Sequence, residues 1–233
     1  MSSTGVATPE AIRPLADKYR ADGYVGHSVK IGTNPTNDAA LIASAMADKK
    51  PGEFFLADAN CGMSVEECLR VLRILPRELD FVLESPCATW RESVSLRRRT
   101  DVPMILDELA VGTDTIIQLI NHDAADGINL KISKCGGLTK ARRVRGICLA
   151  AGLTMSVQDS WGSDISFAAI VHLAQTTPSC ALRCILDVRS SSTVSIAQCE
   201  YEMVDSCVRA PNRPGLGIEP RLEILGEPIS SYP

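Results

Sequence analysis

Gly127-Ile128-Asn129-Leu130-Lys131 is a short apolar run that ends on an ionisable side chain, and the stretch from Thr139 to Ala151, closed by Gly152, has helical spacing and a glycine where a left-handed cap is wanted. The same unit repeats outward in both directions. Strands are predicted over Ser28–Ile31, Phe54–Ala57, Phe81–Leu83, Pro103–Leu106, Gly127–Leu130, Thr154–Val157 and Leu182–Leu186. Between them, Ser64 with Glu67 and Thr89 with Glu92 stand at capping-box spacing, which satisfies free backbone N–H groups at a helix start. After Ser64, Val65, Cys68, Leu69, Leu72 and Leu75 form one apolar stripe able to pack on a sheet. Strand and helix signals in alternation predict a parallel α/β fold.

Where the charge falls decides which one. Lys30 lies inside the first strand, and the others are followed at once by Asp58, Glu84, Asp107, Lys131, Gln158-Asp159 and Asp187, at intervals of 28, 26, 23, 24, 28 and 28 residues. A near-constant period with polar groups at strand C-termini suits a (β/α) TIM-type barrel, whose active site is built from those ends. A doubly wound sheet gathers its ligands at one switch point, so charge after every strand would serve no purpose there. No glycine-rich phosphate loop of the dinucleotide or P-loop type is present in the sequence.

Composition narrows the partners. With 233 residues, 45% apolar and 22% charged, the chain can bury one substantial core, and its net charge of −4 gives no reason to expect nucleic acid. No apolar run reaches the ~18–20 residues of a membrane span, and no signal pattern opens the chain, so no membrane and a cytoplasmic setting are expected. Nine scattered cysteines, without a Cys-x-x-Cys pair, read as reduced core residues; only Cys180 and Cys184 lie close together.

Three successive strand ends supply Asp58, Glu84 and Asp107. Three carboxylates converging on a barrel axis repel one another strongly in a low dielectric, so a divalent cation is implied, and all-oxygen ligation favours Mg²⁺ over zinc. Each acid, taken alone, equally suits the cap of the helix that follows. Lys30 and Lys131 lie on the strands that flank the acidic trio. Two lysines facing a metal-bound carboxylate suit abstraction of the proton on the adjacent carbon, with the cation stabilising the charge that forms. A lysine base needs a lowered pKa, for which burial near the metal and the second lysine are adequate causes.

At these residues the chain resembles the enolase superfamily, in its mandelate racemase and muconate lactonizing group. The resemblance runs from about Thr8 to Tyr232 and is carried by Ser28-Val29-Lys30-Ile31-Gly32, Asp58-Ala59-Asn60, Glu84-Ser85-Pro86, Asp107-Glu108 and the run from Asn129 to Gly137. It implies a modified (β/α)7β barrel, magnesium held by Asp58, Glu84 and Asp107, and Lys30 and Lys131 as acid and base, with Asn60 at the substrate. The family's Lys-x-Lys motif is here Ser28-x-Lys30, without its first lysine. A narrower likeness, in the segments 26–32, 85–92 and 156–165, is to the cis-3-hydroxy-L-proline dehydratase branch. That activity removes the α-proton of a small amino-acid carboxylate and expels the 3-hydroxyl as water, giving a pyrroline carboxylate. Asp159 or Asp187 would meet the ring ammonium by charge complementarity, or else cap a helix.

The resemblance also implies an N-terminal capping domain ahead of the barrel, of which the sequence shows nothing. The helix predicted over Pro9–Ala21 should follow the first barrel strand, so that strand is expected to be absent, leaving two unpaired edges. The organisation expected is a barrel over 1–210 and an extended tail over 211–233, which in relatives packs on the cap. The functions expected are a dehydratase, an epimerase of a proline-like amino acid, or an inactive truncated paralogue, as a homo-oligomer.

Overall fold

In the computed structural model, which describes residues 1–199 and 201–231, eight parallel strands lie side by side in chain order: β1 (Ser2–Ser3), β2 (Gly26–Lys30), β3 (Phe54–Asp58), β4 (Val82–Glu84), β5 (Met104–Leu106), β6 (Gly127–Lys131), β7 (Thr154–Gln158) and β8 (Leu182–Ile185). The seven predicted strands are all present, with ends moved by one or two residues. Most are buried on both faces, which is why they read as apolar runs and not as alternating patterns.

The expected loss of the first strand is corrected by the structure. Ser2 and Ser3 pair in parallel with His27 and Ser28. Met1 then reaches the opposite edge: its nitrogen donates to the Ile185 carbonyl at 2.7 Å, and the Asp187 amide donates to the Met1 carbonyl at 3.0 Å. The two edges that would have stood unpaired therefore meet through one residue.

Helices α1 (Ile12–Ala21), α2 (Pro35–Met46), α3 (Val65–Ile74), α4 (Trp90–Arg97), α5 (Thr113–His122), α6 (Ile132–Cys135), α7 (Leu138–Ala150) and α8 (Asp164–Gln175) fill the connections. Ser64 and Glu67 form the full capping box at the start of α3, and the Thr89 side chain accepts from the Glu92 amide at the start of α4. The main core lies between the outer strand faces and these helices. A smaller cluster of Leu56, Val82 and Ile105, with Met1 against it, plugs the barrel interior on the β3–β5 side. All nine cysteines are free thiols. Among the described residues no helix is long and apolar enough to cross a membrane.

Beyond β8 the chain folds back toward α8 before it reaches the tail expected from residue 211. A 3₁₀ turn (Val188–Ser191) leads into β9 (Ala197–Gln198), β10 (Glu202–Val204) and β11 (Cys207–Arg209); β12 (Glu219–Pro220) then folds back antiparallel on β9, before the one-turn α9 (Leu222–Leu225). Asp164, buried at the start of α8, explains the return: its carboxylate accepts from the Ile196 amide at 2.8 Å and from the Ser195 hydroxyl at 3.0 Å. The last two residues of the predicted tail, 232 and 233, lie outside the described residues, and with them the C-terminal limit of the resemblance.

Candidate active site

Parallel register brings the predicted site residues to one level. Lys30 is opposite Asp58, Asp58 opposite Glu84, and Lys131 opposite Gln158. Asp107 follows β5 by one residue, and its amide donates to the Ser85 hydroxyl at 2.8 Å. The C-terminal mouth of the barrel thus collects side chains separated by a hundred residues of sequence. Lys30, Asp58, Glu84, Lys131, Gln158, Asp159 and Asp187 line one cavity of about 300 Å³. A larger cavity, about 920 Å³, opens between Tyr24, Arg189 and the C-terminal segment at Arg213 and Arg221, but it carries neither lysine and none of the acidic trio. Chemistry, not size, identifies the site.

The acids and lysines are interlocked. Lys30 pairs with Asp58, and Lys131 with Asp107, whose other oxygen takes Lys134 at 3.1 Å. Asn129 donates its side-chain amide to Glu84. Asp58, Glu84 and Asp107 are all buried. Burial pushes the Glu84 carboxyl well above the usual carboxylate range, and the negative fields of Asp58 and Asp107 push it further. Burial likewise raises Asp107, against the pull of Lys131. For Lys131, burial lowers the ammonium pKa, but Asp107 outweighs it and the net shift is upward. The lowered lysine expected of a base is therefore not what these residues produce alone, because Asp107, paired with Lys131, favours the ammonium form.

Among the described residues no three acidic, histidine or cysteine side chains converge in a ready metal cage. The donor set nevertheless fits a hard dication. It is oxygen-only and buried, and burial together with the negative fields of Asp58 and Asp107 drives Glu84 toward protonation. The lysines supply the compensating positive charge through the ion pairs with Asp58 and Asp107.

The remaining predicted residues are held by the protein itself. Asn60, in left-handed backbone at φ 43°, accepts from Lys30 Nζ at 2.9 Å and donates to Glu108 at 3.1 Å, so both ends of its amide are engaged. Asp159 accepts from the Ser133 amide at 3.1 Å, the Ser133 hydroxyl and the Ser160 amide. Asp187 is gripped by Arg189 at 2.8–2.9 Å and by the Tyr24 hydroxyl at 3.0 Å; burial would raise its pKa, but Arg189 overrides it and holds the carboxyl below its ordinary value. Arg189 in turn stacks 3.8 Å from the Phe167 ring centroid. Both oxygens of each acid are thus engaged, those of Asp187 by a cation and a hydroxyl and those of Asp159 by uncharged donors only.

Sequence reading missed Lys134, Asn129, Glu108 and Gln158 as parts of the site. Two signals were available: Asn129 stands two residues before Lys131 on the same strand face, and Lys134 follows it by three, within the first turn of α6. Nothing in the local pattern marks Glu108 as the partner of Asn60, since the two are 48 positions apart.

A closed run of parallel strands with acids and lysines gathered at its C-terminal mouth defines a (β/α)-barrel enzyme site. Residues 11–224 match the Enolase C-terminal domain-like family, and the chain belongs to it, in the mandelate racemase and muconate lactonizing group of the enolase superfamily. It is 42% identical over 224 residues to a cis-3-hydroxy-L-proline dehydratase of Roseibium aggregatum, covering 96% of this chain and 61% of that one. A crystal structure from Aspergillus oryzae, assigned to the mandelate racemase/muconate lactonizing enzymes, superposes with a TM-score of 0.94 at 56% identity, over 99% of this chain and 64% of that chain. One from Roseovarius nubinhibens, of the same assignment and complexed with magnesium, gives 0.95 at 47% identity, over 99% and 65%. The chain therefore spans slightly less than two thirds of the length of these relatives.

Proposed function

We propose that this chain carries the catalytic barrel of a magnesium-dependent hydro-lyase that dehydrates cis-3-hydroxy-L-proline to a pyrroline carboxylate. The observation that supports it is the flanking of three buried strand-end acids by Lys30 and Lys131 in one mouth, with a 42% identical relative named for that reaction. Asp58, Glu84 and Asp107 would hold Mg²⁺, which when bound would stabilise the negative charge that builds on the substrate carboxylate as the α-proton leaves.

Everything else falls to the chain's own side chains. Lys30, from β2, and Lys131, from β6, would take the α-proton and protonate the departing hydroxyl. Asp107 holds Lys131 charged; with a cation held at that carboxylate the ion pair would weaken and Lys131 could give up its proton. Asn60 and Asp58 fix Lys30 Nζ at the mouth. Asp159 is the better partner for the ring ammonium, because Asp187 is already neutralised by Arg189.

Incubation with cis-3-hydroxy-L-proline and Mg²⁺ in D₂O, followed by NMR, tests the proposal. Loss of water with formation of the cyclic imine supports it; deuterium uptake at the α-carbon without water loss supports an epimerase instead, a reading favoured by the 26% identity to an N-succinyl-L-Arg/Lys racemase of Bacillus cereus. Neither signal at millimolar Mg²⁺ sinks the enzymatic reading of this chain.

A further inference from the structure

Gln158 ends β7, opposite Lys131 in the strand register, and lines the 300 Å³ cavity. It is buried, at 4% exposure, yet its amide nitrogen has no hydrogen-bond partner among the described residues. A buried amide left unpaired is unfavourable, and such groups in native proteins almost always face a partner. Among the described residues Asn129 Oδ1 and Ser156 Oγ are unpaired as well but belong to side chains outside the cavity lining, whereas Lys30, Asp58, Glu84 and Lys131, which do line it, are tied to one another or to Asn60, Asn129 and Asp107. The orphan in the catalytic mouth is therefore a neutral donor–acceptor group, on the strand four places round the ring from β3 and so across the opening from Asp58.

Resting on the function proposed above, we infer that Gln158 is a specificity-determining residue whose side-chain amide hydrogen-bonds the ring hydroxyl of the substrate. The assignment follows from matching the charges first. The substrate carboxylate belongs with the cation on the β3–β5 side, and the ring ammonium with Asp159. What remains is a hydroxyl, which both donates and accepts, and Gln158 contributes the one amide side chain that lines the cavity. A site that pairs a buried amide with a hydroxyl rejects the analogue without it, because the amide is then left unsatisfied.

The test is calorimetric and avoids turnover. In a Lys30→Met, Lys131→Met background with Mg²⁺ present, cis-3-hydroxy-L-proline and L-proline are titrated separately, with and without Gln158→Met. The background should prefer the hydroxylated ring by about tenfold, the size of one well-made hydrogen bond in a closed site, and Gln158→Met should bring the ratio close to one. Gln158→Asn, which keeps a shorter amide, should retain part of the preference, and a purely packing role would not move this ratio. A preference that survives Gln158→Met overturns the assignment and leaves the lyase reading intact, since water loss by the unaltered protein is measured separately. Binding of neither compound by the background overturns both.

Discussion

The side chains that matter most at the residue scale are those whose charge depends on a neighbour. Lys30 and Lys131 each hold one buried aspartate, so replacing either should remove an acid–base group and also leave a carboxylate uncompensated. Lys30→Met and Lys131→Met should each lower α-proton exchange by about 10²–10⁴-fold, measured by NMR in D₂O, with the larger fall marking the base. At the other pole of the barrel, His27 is buried against Phe55, 3.6 Å from Glu53, which is itself paired with Arg20. Burial lowers its pKa, Arg20 adds to that, and Glu53 opposes it. The folded protein thus holds His27 neutral while the unfolded chain takes up a proton below pH 6.5. Its contribution to stability is therefore complete above that value and is lost as the pH falls through it toward the lower folded pKa. Denaturant unfolding from pH 7.5 to 5 should show this loss, and His27→Gln should flatten that part of the profile.

At the scale of the element, each strand–helix unit delivers one side chain to the mouth, and its precision depends on how closely neighbouring backbones approach. Gly127 opens β6 opposite Thr154 of β7, and a Cβ there would stand 2.5 Å from the Thr154 carbonyl oxygen. Gly127→Ala should cost about 1–3 kcal/mol in denaturant unfolding, because the obstacle is backbone and the β6–β7 ladder must shift to clear it. That ladder carries both Lys131 and Gln158, so activity should fall further than stability alone explains. The helix starts were legible because the Ser64–Glu67 capping box and the Thr89 N-cap are local chemistry, satisfied within one turn. The two-residue β1 was not legible: Ser2-Ser3 has no apolar pattern, and it is a strand only because the edge of β2 is there to pair with it.

For the whole molecule, the barrel concentrates three buried acids whose ionised forms repel one another, and a bound dication should repay that cost. Differential scanning calorimetry should show a higher unfolding midpoint with Mg²⁺, by about 2.7 kcal/mol of added stability at a concentration one hundred times the dissociation constant. Glu84→Gln should abolish that response while leaving the metal-free protein at least as stable, since the buried carboxyl repelled by Asp58 and Asp107 is then gone. An equal Mg²⁺ response in Glu84→Gln would remove Glu84 from the proposed ligand set.

Periodicity and composition alone determined the alternation of strands and helices, the ends of β2 to β8 to within two residues, and the identity of the acids and lysines that stand there. These are one-dimensional properties, because a parallel strand buried on both faces must be an apolar run and its polar end must be where burial stops. Only the tertiary structure decided how the ring is joined, with Met1 bridging β1 and β8, and which carboxylates are already spent. Asp187 with Tyr24 and Asn60 with Glu108 are partnerships set by register and closure, and no local pattern encodes them. Gln158 looked like one more polar residue after a strand; its unpaired amide emerges only when the side chains that line the mouth are set against one another in space.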